Sequence, residues 1–104
     1  MPETARGEVW LVDLGMAAKT RPCVVLSKPV ADEDRALVTI VAHTTSTRGS
    51  RFEVPTNIRF LRPGAFDAQN LVTIPGVKCL RRLGRLTADE LAAVEAVVRA
   101  WLGL

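Results

Sequence analysis

Pro22–Ser27 (PCVVLS) and Leu37–His43 (LVTIVAH) decide how this chain folds. Both runs are short, apolar and rich in β-branched residues, so each reads as a strand. Pro22 suits a strand's first residue, because proline cannot donate to a ladder. Between them, Lys28–Arg35 is polar and holds Pro29, so it reads as a loop or single turn. Upstream, Glu8–Leu14 (EVWLVDL) is a further strand, joined to Pro22–Ser27 by the short loop Gly15–Thr20. Downstream, Thr44–Ser50 is a polar connection ending in Gly49-Ser50, and Phe52–Pro55 a short fourth strand. Thr56–Asp67 carries the turn signal Pro63-Gly64. Asn70–Ile74 is the fifth strand, Pro75-Gly76 a turn, and Val77–Leu80 the sixth strand.

The one clear helix comes last. Thr87 with Glu90 three residues on predicts a capping box, in which the hydroxyl takes one orphan N–H and the carboxylate another. Leu91, Val94, Val98, Trp101 and Leu102 recur at helical spacing as one apolar face. Short strands followed by a terminal helix predict a mainly β fold, a small SH3-like barrel of antiparallel strands with the helix packed against it. Residues 1–104 read as a single domain.

Composition narrows the function classes. Apolar residues make up 48% and charged residues 24%, which excludes a disordered tail. The core is modest, so dimerisation would help by burying more surface. The formal charge is +3, but its placement says more. From Arg48 to Arg85 eight basic residues face only Glu53 and Asp67, a net +6 that leaves the remainder at −3. A basic middle attracts a polyanion such as nucleic acid. Cys23 and Cys79 lie in apolar strands and read as buried thiols in a reducing compartment. One histidine and two distant cysteines draw no metal cluster, and no cofactor is expected. No apolar run approaches membrane-spanning length and the start of the chain has no apolar signal core, so a cytoplasmic protein is expected.

Three segments resemble the MazF/PemK/Kid family of toxin ribonucleases. Arg6-Gly-Glu-Val-Trp-Leu-Val-Asp-Leu14 is similar to the family's first strand. Arg21-Pro-Cys-Val-Val-Leu-Ser27 is similar to its "RP-x-V-V-(L/I)-S" strand. Val41-Ala-His-Thr-Thr-Ser-Thr-Arg-Gly49 with Phe52-Glu-Val54 is similar to its "V-x-x-T-T-x-x-x-G…F-x-V" segment. The order and spacing match over nearly the whole chain. The resemblance implies an SH3-like barrel and a homodimer that cleaves single-stranded RNA, such as mRNA, without metal and is neutralised by a cognate antitoxin. The alternative on the same fold is a non-enzymatic, CcdB-like toxin or an inactive RNA-binding barrel. Three Phe, two Trp and no Tyr leave few rings on which a general binder could stack bases.

Metal-free RNA cleavage turns the ribose 2′-OH on the adjacent phosphate. It needs a base, an acid and donors aimed at the charge that builds on phosphorus. The resemblance gives Arg21 and Thr45 the catalytic places, and guanidinium suits a phosphate because it offers a fork of donors and stays charged. Pro22 biases Arg21 toward extended backbone. Lys19 and Thr20, in the first loop, with Thr44, Ser46, Thr47, Arg48 and Lys78, are the expected RNA contacts. Kid-like members carry an Asp base before a "V-K/R" pair. The matching place here is read as Pro75-Gly76 before Val77-Lys78, so that role has no carboxylate. Either Arg21 and Thr45 suffice, or the nuclease is weak or inactive, or another group serves. His43 is a candidate for that group, the alternative being a half-buried structural histidine: it stands two residues before Thr45, on one strand face, and its intrinsic pKa suits proton transfer near neutrality.

Overall fold

A computed structural model of the chain describes residues 3–15 and 19–104. Six strands and one helix follow in order: β1 (Glu8–Gly15), β2 (Lys19–Val25), β3 (Leu37–Thr44), β4 (Glu53–Thr56), β5 (Gly64–Pro75), β6 (Cys79–Arg85) and α1 (Ala88–Leu102). They form one antiparallel sheet in the order β4-β5-β3-β2-β1-β6. The expected mainly β class with a terminal helix holds. The barrel stays open, since β4 and β6 are the two edges and do not pair.

Alternation along the strands sorts side chains into two cores. Trp10, Val12, Cys23, Val25, Ile40 and Ala42 pack together on one face with Ile74 and Cys79. Val9, Val24, Val41 and Phe66 pack on the other with Val94 and Val98 of α1. Phe66 is buried outright in this second core, and truncating it to Ala would cost about 3–5 kcal/mol. The helix starts as its sequence predicts, with Thr87 Oγ1 accepting from Glu90 N and Glu90 returning a carboxylate to Thr87 N. It stops at Gly103, whose φ of 72° is left-handed and costs glycine little. Of the predicted apolar face, Val94 and Val98 are buried, Trp101 packs on Phe52 at 5.2 Å, and Leu102 stays about half exposed.

Several strand boundaries differ from the sequence reading: β2 ends at Val25 rather than Ser27, β4 is shifted by one residue, and β6 runs on to Arg85 rather than Leu80. β2 begins at Lys19 rather than Pro22, so Pro22 lies inside it. The position tolerates proline because the β2–β3 ladder starts only at Cys23. The loop ascribed to Gly15–Thr20 shrinks accordingly, and its Met16–Ala18 lie outside the described residues. β5 begins at Gly64, not Asn70, and runs 12 residues. Its pairing with β3 jumps from Val41↔Leu71 to His43↔Phe66, so Asp67–Asn70 bulge opposite Ala42. That polar insertion disguises the first half of the strand in the sequence. Finally, Gly76–Lys78 form a single 3-10 turn, and β6 starts at Cys79 instead of Val77.

Candidate active site

The groove lies where β2 and β3 come to an end side by side. The β2–β3 ladder ends at Cys23↔Ala42, and just beyond it Arg21 and Thr44 line the same two depressions. Alternation puts Arg21 on the face of Cys23 and Thr44 on that of Ala42, whereas His43 lies on the opposite face with Val41 and Phe66 and borders the groove from there. Thr44 is held by a turn in which its Oγ1 accepts from Ser46 N at 3.0 Å. Thr45 follows, exposed, just beyond the strand.

A groove of about 740 Å³ collects Lys19, Thr20, Arg21, His43, Thr44, Thr45 and Ser46 from the predicted set. Its wall is completed by Pro22 and by residues for which the sequence reading had no role: Phe60, Arg62 and Arg81, with Leu11, Leu61 and Leu83. Four cations and no carboxylate line it. Arg62 and Arg81 were legible only as members of the basic run. Their shared address follows from the register Leu11↔Arg81, which no local pattern announces.

A second, smaller depression of about 220 Å³ adjoins on the other side of Arg21. Arg48 and Ser46 line it with Thr44, Glu53, Asp67 and Asn70. Asp67 sits in the β5 bulge and its Oδ1 accepts from Gln69 N at 3.0 Å. The bulge therefore re-aims a carboxylate toward the Arg21 end of the sheet. The position assigned to the missing acid is elsewhere: Pro75 pairs with Leu37, at the far end of β3 from Thr44. Thr47 borders a third hollow with Thr45 and Glu53. Lys78 is not in the groove; its Nζ faces Asp13 at 3.9 Å, beyond the opposite end of β6 from Arg85. Glu53 organises the loop by accepting from the N–H of Arg48 and of Ser50, and those backbone donors, Arg48 first, hold its carboxyl below the usual range.

His43 is buried, with Phe66 edge-on at 5.1 Å. His43 Nε2 and Thr56 Oγ1 are 2.9 Å apart, and Thr56 Oγ1 also reaches Gly64 O at 3.3 Å. In the tautomer where Thr56 donates to that carbonyl, Nε2 carries the ring proton and Nδ1 is the basic nitrogen. Burial lowers the imidazole pKa from 6.5, which keeps the ring neutral at pH 7. Gly64 permits this packing, since a Cβ there would meet the Thr44 carbonyl and lie 2.9 Å from His43 Cε1. Glu8 is far from this chemistry. Its Oε1 accepts from Ala5 N and Trp10 Nε1, and its Oε2 meets Arg82 and Arg85 at 3.3 and 3.5 Å.

PemK-like, MazF-like toxins of type II toxin–antitoxin systems match residues 5–102. The chain belongs to this family. Among solved structures, the Mycobacterium tuberculosis toxin MazF-mt6 is 27% identical, with a TM-score of 0.80 over 93% of this chain and 97% of that one. A mycobacterial endoribonuclease in complex with its cognate antitoxin is 25% identical, with a TM-score of 0.82 over 97% and 96%. MazF in a MazE–MazF complex from Deinococcus radiodurans shares the fold, at 21% identity and a TM-score of 0.83 over 100% and 99%. No curated protein matches the chain.

Proposed function

We propose that this MazF-like toxin is an endoribonuclease that cleaves single-stranded RNA without metal. The observation that carries the reading is the groove itself: Lys19, Arg21, Arg62 and Arg81 line it with Thr44 and Thr45, and among the described residues no acid does. Such a surface draws in a phosphate backbone and concentrates donors where the reacting phosphate builds charge.

In this reading the 2′-oxygen attacks phosphorus, an O2′–P bond forms and the P–O5′ bond breaks. The products are a 2′,3′-cyclic phosphate and a 5′-hydroxyl. Arg21 binds the phosphoryl oxygens and gains strength as they take up charge, and the Thr45 hydroxyl orients the phosphate. His43 Nδ1 takes the 2′-OH proton, a role its neutral ring suits; the leaving 5′-oxygen takes up a proton in turn. Lys19, Thr20, Thr44, Ser46, Thr47 and Arg48 hold the strand on either side. Lys78 faces Asp13 outside the groove and is given no role in this reading. The working form is a cytoplasmic homodimer, and a cognate antitoxin blocks the basic groove with an acidic segment. The mycobacterial endoribonuclease in complex with its cognate antitoxin supports that partnership. Among the described residues no helix is long and apolar enough to cross a membrane.

The test is to incubate purified protein with a long RNA in excess EDTA, map the ends by primer extension and identify the termini chemically. Cleavage with cyclic-phosphate and 5′-hydroxyl ends is expected. Cutting that stops in EDTA and returns with magnesium would sink the mechanism. Asp67→Asn serves as a control on the base: retained activity there together with loss in His43→Asn supports His43, and the reverse transfers the role to Asp67.

A further inference from the structure

Phe60 is a large apolar side chain left 37% exposed in a groove otherwise lined by cations, hydroxyls and smaller apolar groups. Its setting is built. Ile58 and Leu61 sink into the core shared with α1, and Leu61 N donates to Ile58 O at 3.0 Å, which closes the turn and lifts Phe60 outward. Behind the ring is Gly84. A Cβ at that position would lie 2.5, 2.6 and 2.8 Å from three of the ring carbons. Only glycine leaves room for this edge of the ring against the β6 backbone, which fixes the side chain while part of it faces the groove. Arg62, Arg81 and Arg21 border the same space.

We propose that Phe60 is a base-stacking platform, on which one unstacked base of a single-stranded RNA rests while the arginines hold the flanking phosphates. The inference rests on the endoribonuclease reading and deepens it, by assigning one ring to the substrate's base. An aromatic face gives stacking that every base can use, and a preformed, supported ring loses little freedom on binding. A polypeptide side chain would fit the ring as well, but the surrounding cations favour a chain that carries a charge at every step.

The experiment measures binding of 2′-O-methylated RNA homopolymers, which cannot be cut, by fluorescence anisotropy. Wild type is compared with Phe60→Leu, Phe60→Trp and Gly84→Ala across a salt series. Phe60→Leu keeps the apolar packing and melts like wild type, yet should bind about tenfold more weakly. Phe60→Trp should bind at least as well as wild type. Gly84→Ala, which displaces the ring, should weaken binding in the same direction. The slope of affinity against salt should not change in Phe60→Leu, because the ring neutralises no phosphate. Wild-type binding in Phe60→Leu, or equal loss in the Leu and Trp variants, overturns the platform. A protein that cuts RNA normally while Phe60→Leu binds as wild type defeats this inference alone. One that binds homopolymers with the predicted pattern and cuts nothing defeats the nuclease reading alone. Absence of any binding by wild type defeats both.

Discussion

Arg81 and Arg82 are neighbours on β6 and have opposite surroundings. Arg82 turns toward Glu8, whose buried carboxylate it shares with Arg85. Arg81 pairs in register with Leu11 and opens onto the groove, where it meets Arg62 and Arg21 and no acid. Among the described residues neither Arg81, Arg62 nor Arg21 forms an ion pair, while Arg6, Lys78, Arg82 and Arg85 all do. The cations thus differ in kind. Lys78, Arg82 and Arg85 face acids of β1 and Arg6 faces Glu95 of α1, whereas Arg21, Arg62 and Arg81 leave their charge available to a ligand. Net charge alone hides this partition, because alternation along a strand sends adjacent residues to different faces.

The largest effect tests the uncompensated half. Arg21→Ala should lower the cleavage rate by about a hundredfold or more without changing the melting temperature, while Arg82→Ala leaves the rate near wild type. Comparable rates in the two variants would erase the distinction. A finer version compares Arg62→Ala and Arg81→Ala with Arg82→Ala at equal loss of charge. Each groove variant should reduce the slope of log affinity against log salt by about 0.7, the value for one phosphate contact on a single strand, and Arg82→Ala should not. A uniform change in all three would mean that RNA senses only total charge.

The neutralised half is tested by stability. Glu8→Gln keeps an oxygen for Ala5 N and Trp10 Nε1 but loses the charge facing two half-exposed arginines. Solvent screening limits the loss to about 1 kcal/mol, read as a lower denaturation midpoint with cleavage unaffected. A drop in activity without loss of stability would place Glu8 in the catalytic machinery after all. The smallest effect concerns His43. Its folded pKa lies below 6.5, so between that value and the folded pKa the unfolded chain binds more protons. Stability contributed by the neutral ring is therefore complete above pH 6.5 and falls as pH drops through this window. His43→Gln should flatten that dependence in denaturant titrations. If His43 is also the base, kcat should rise with pH with a midpoint below 6.5, and His43→Asn should abolish that limb. An unchanged profile in the Asn variant leaves the imidazole a purely structural role.

Much of this architecture was legible in local sequence. The β-branched runs around Val24 and Val41, the Thr87–Glu90 cap and the valines of α1 act through neighbours a few residues away, and the structure keeps all of them. Arg21, Thr44, Thr45 and Ser46 could be named because they sit in short contiguous motifs. Burial of both cysteines was legible too, and in the fold it pushes the Cys23 thiol up to about 12, with Cys79 nearby adding to the effect.

What the sequence could not decide depends on pairing between distant strands. The β5 bulge hid three polar residues and Ala68 inside a strand, and only the β3 register shows that it carries Asp67 to the Arg21 end while Pro75 goes to the other. The same holds for Phe60, whose exposed ring has meaning only against Gly84, and for Arg81 and Arg82, which differ by one position in the pleat. Strand and helix formation follow from periodicity and capping over a few residues. Which charge stays available, and which ring gains a glycine behind it, follows from tertiary contacts alone, since a one-residue change of register reverses every side chain's face.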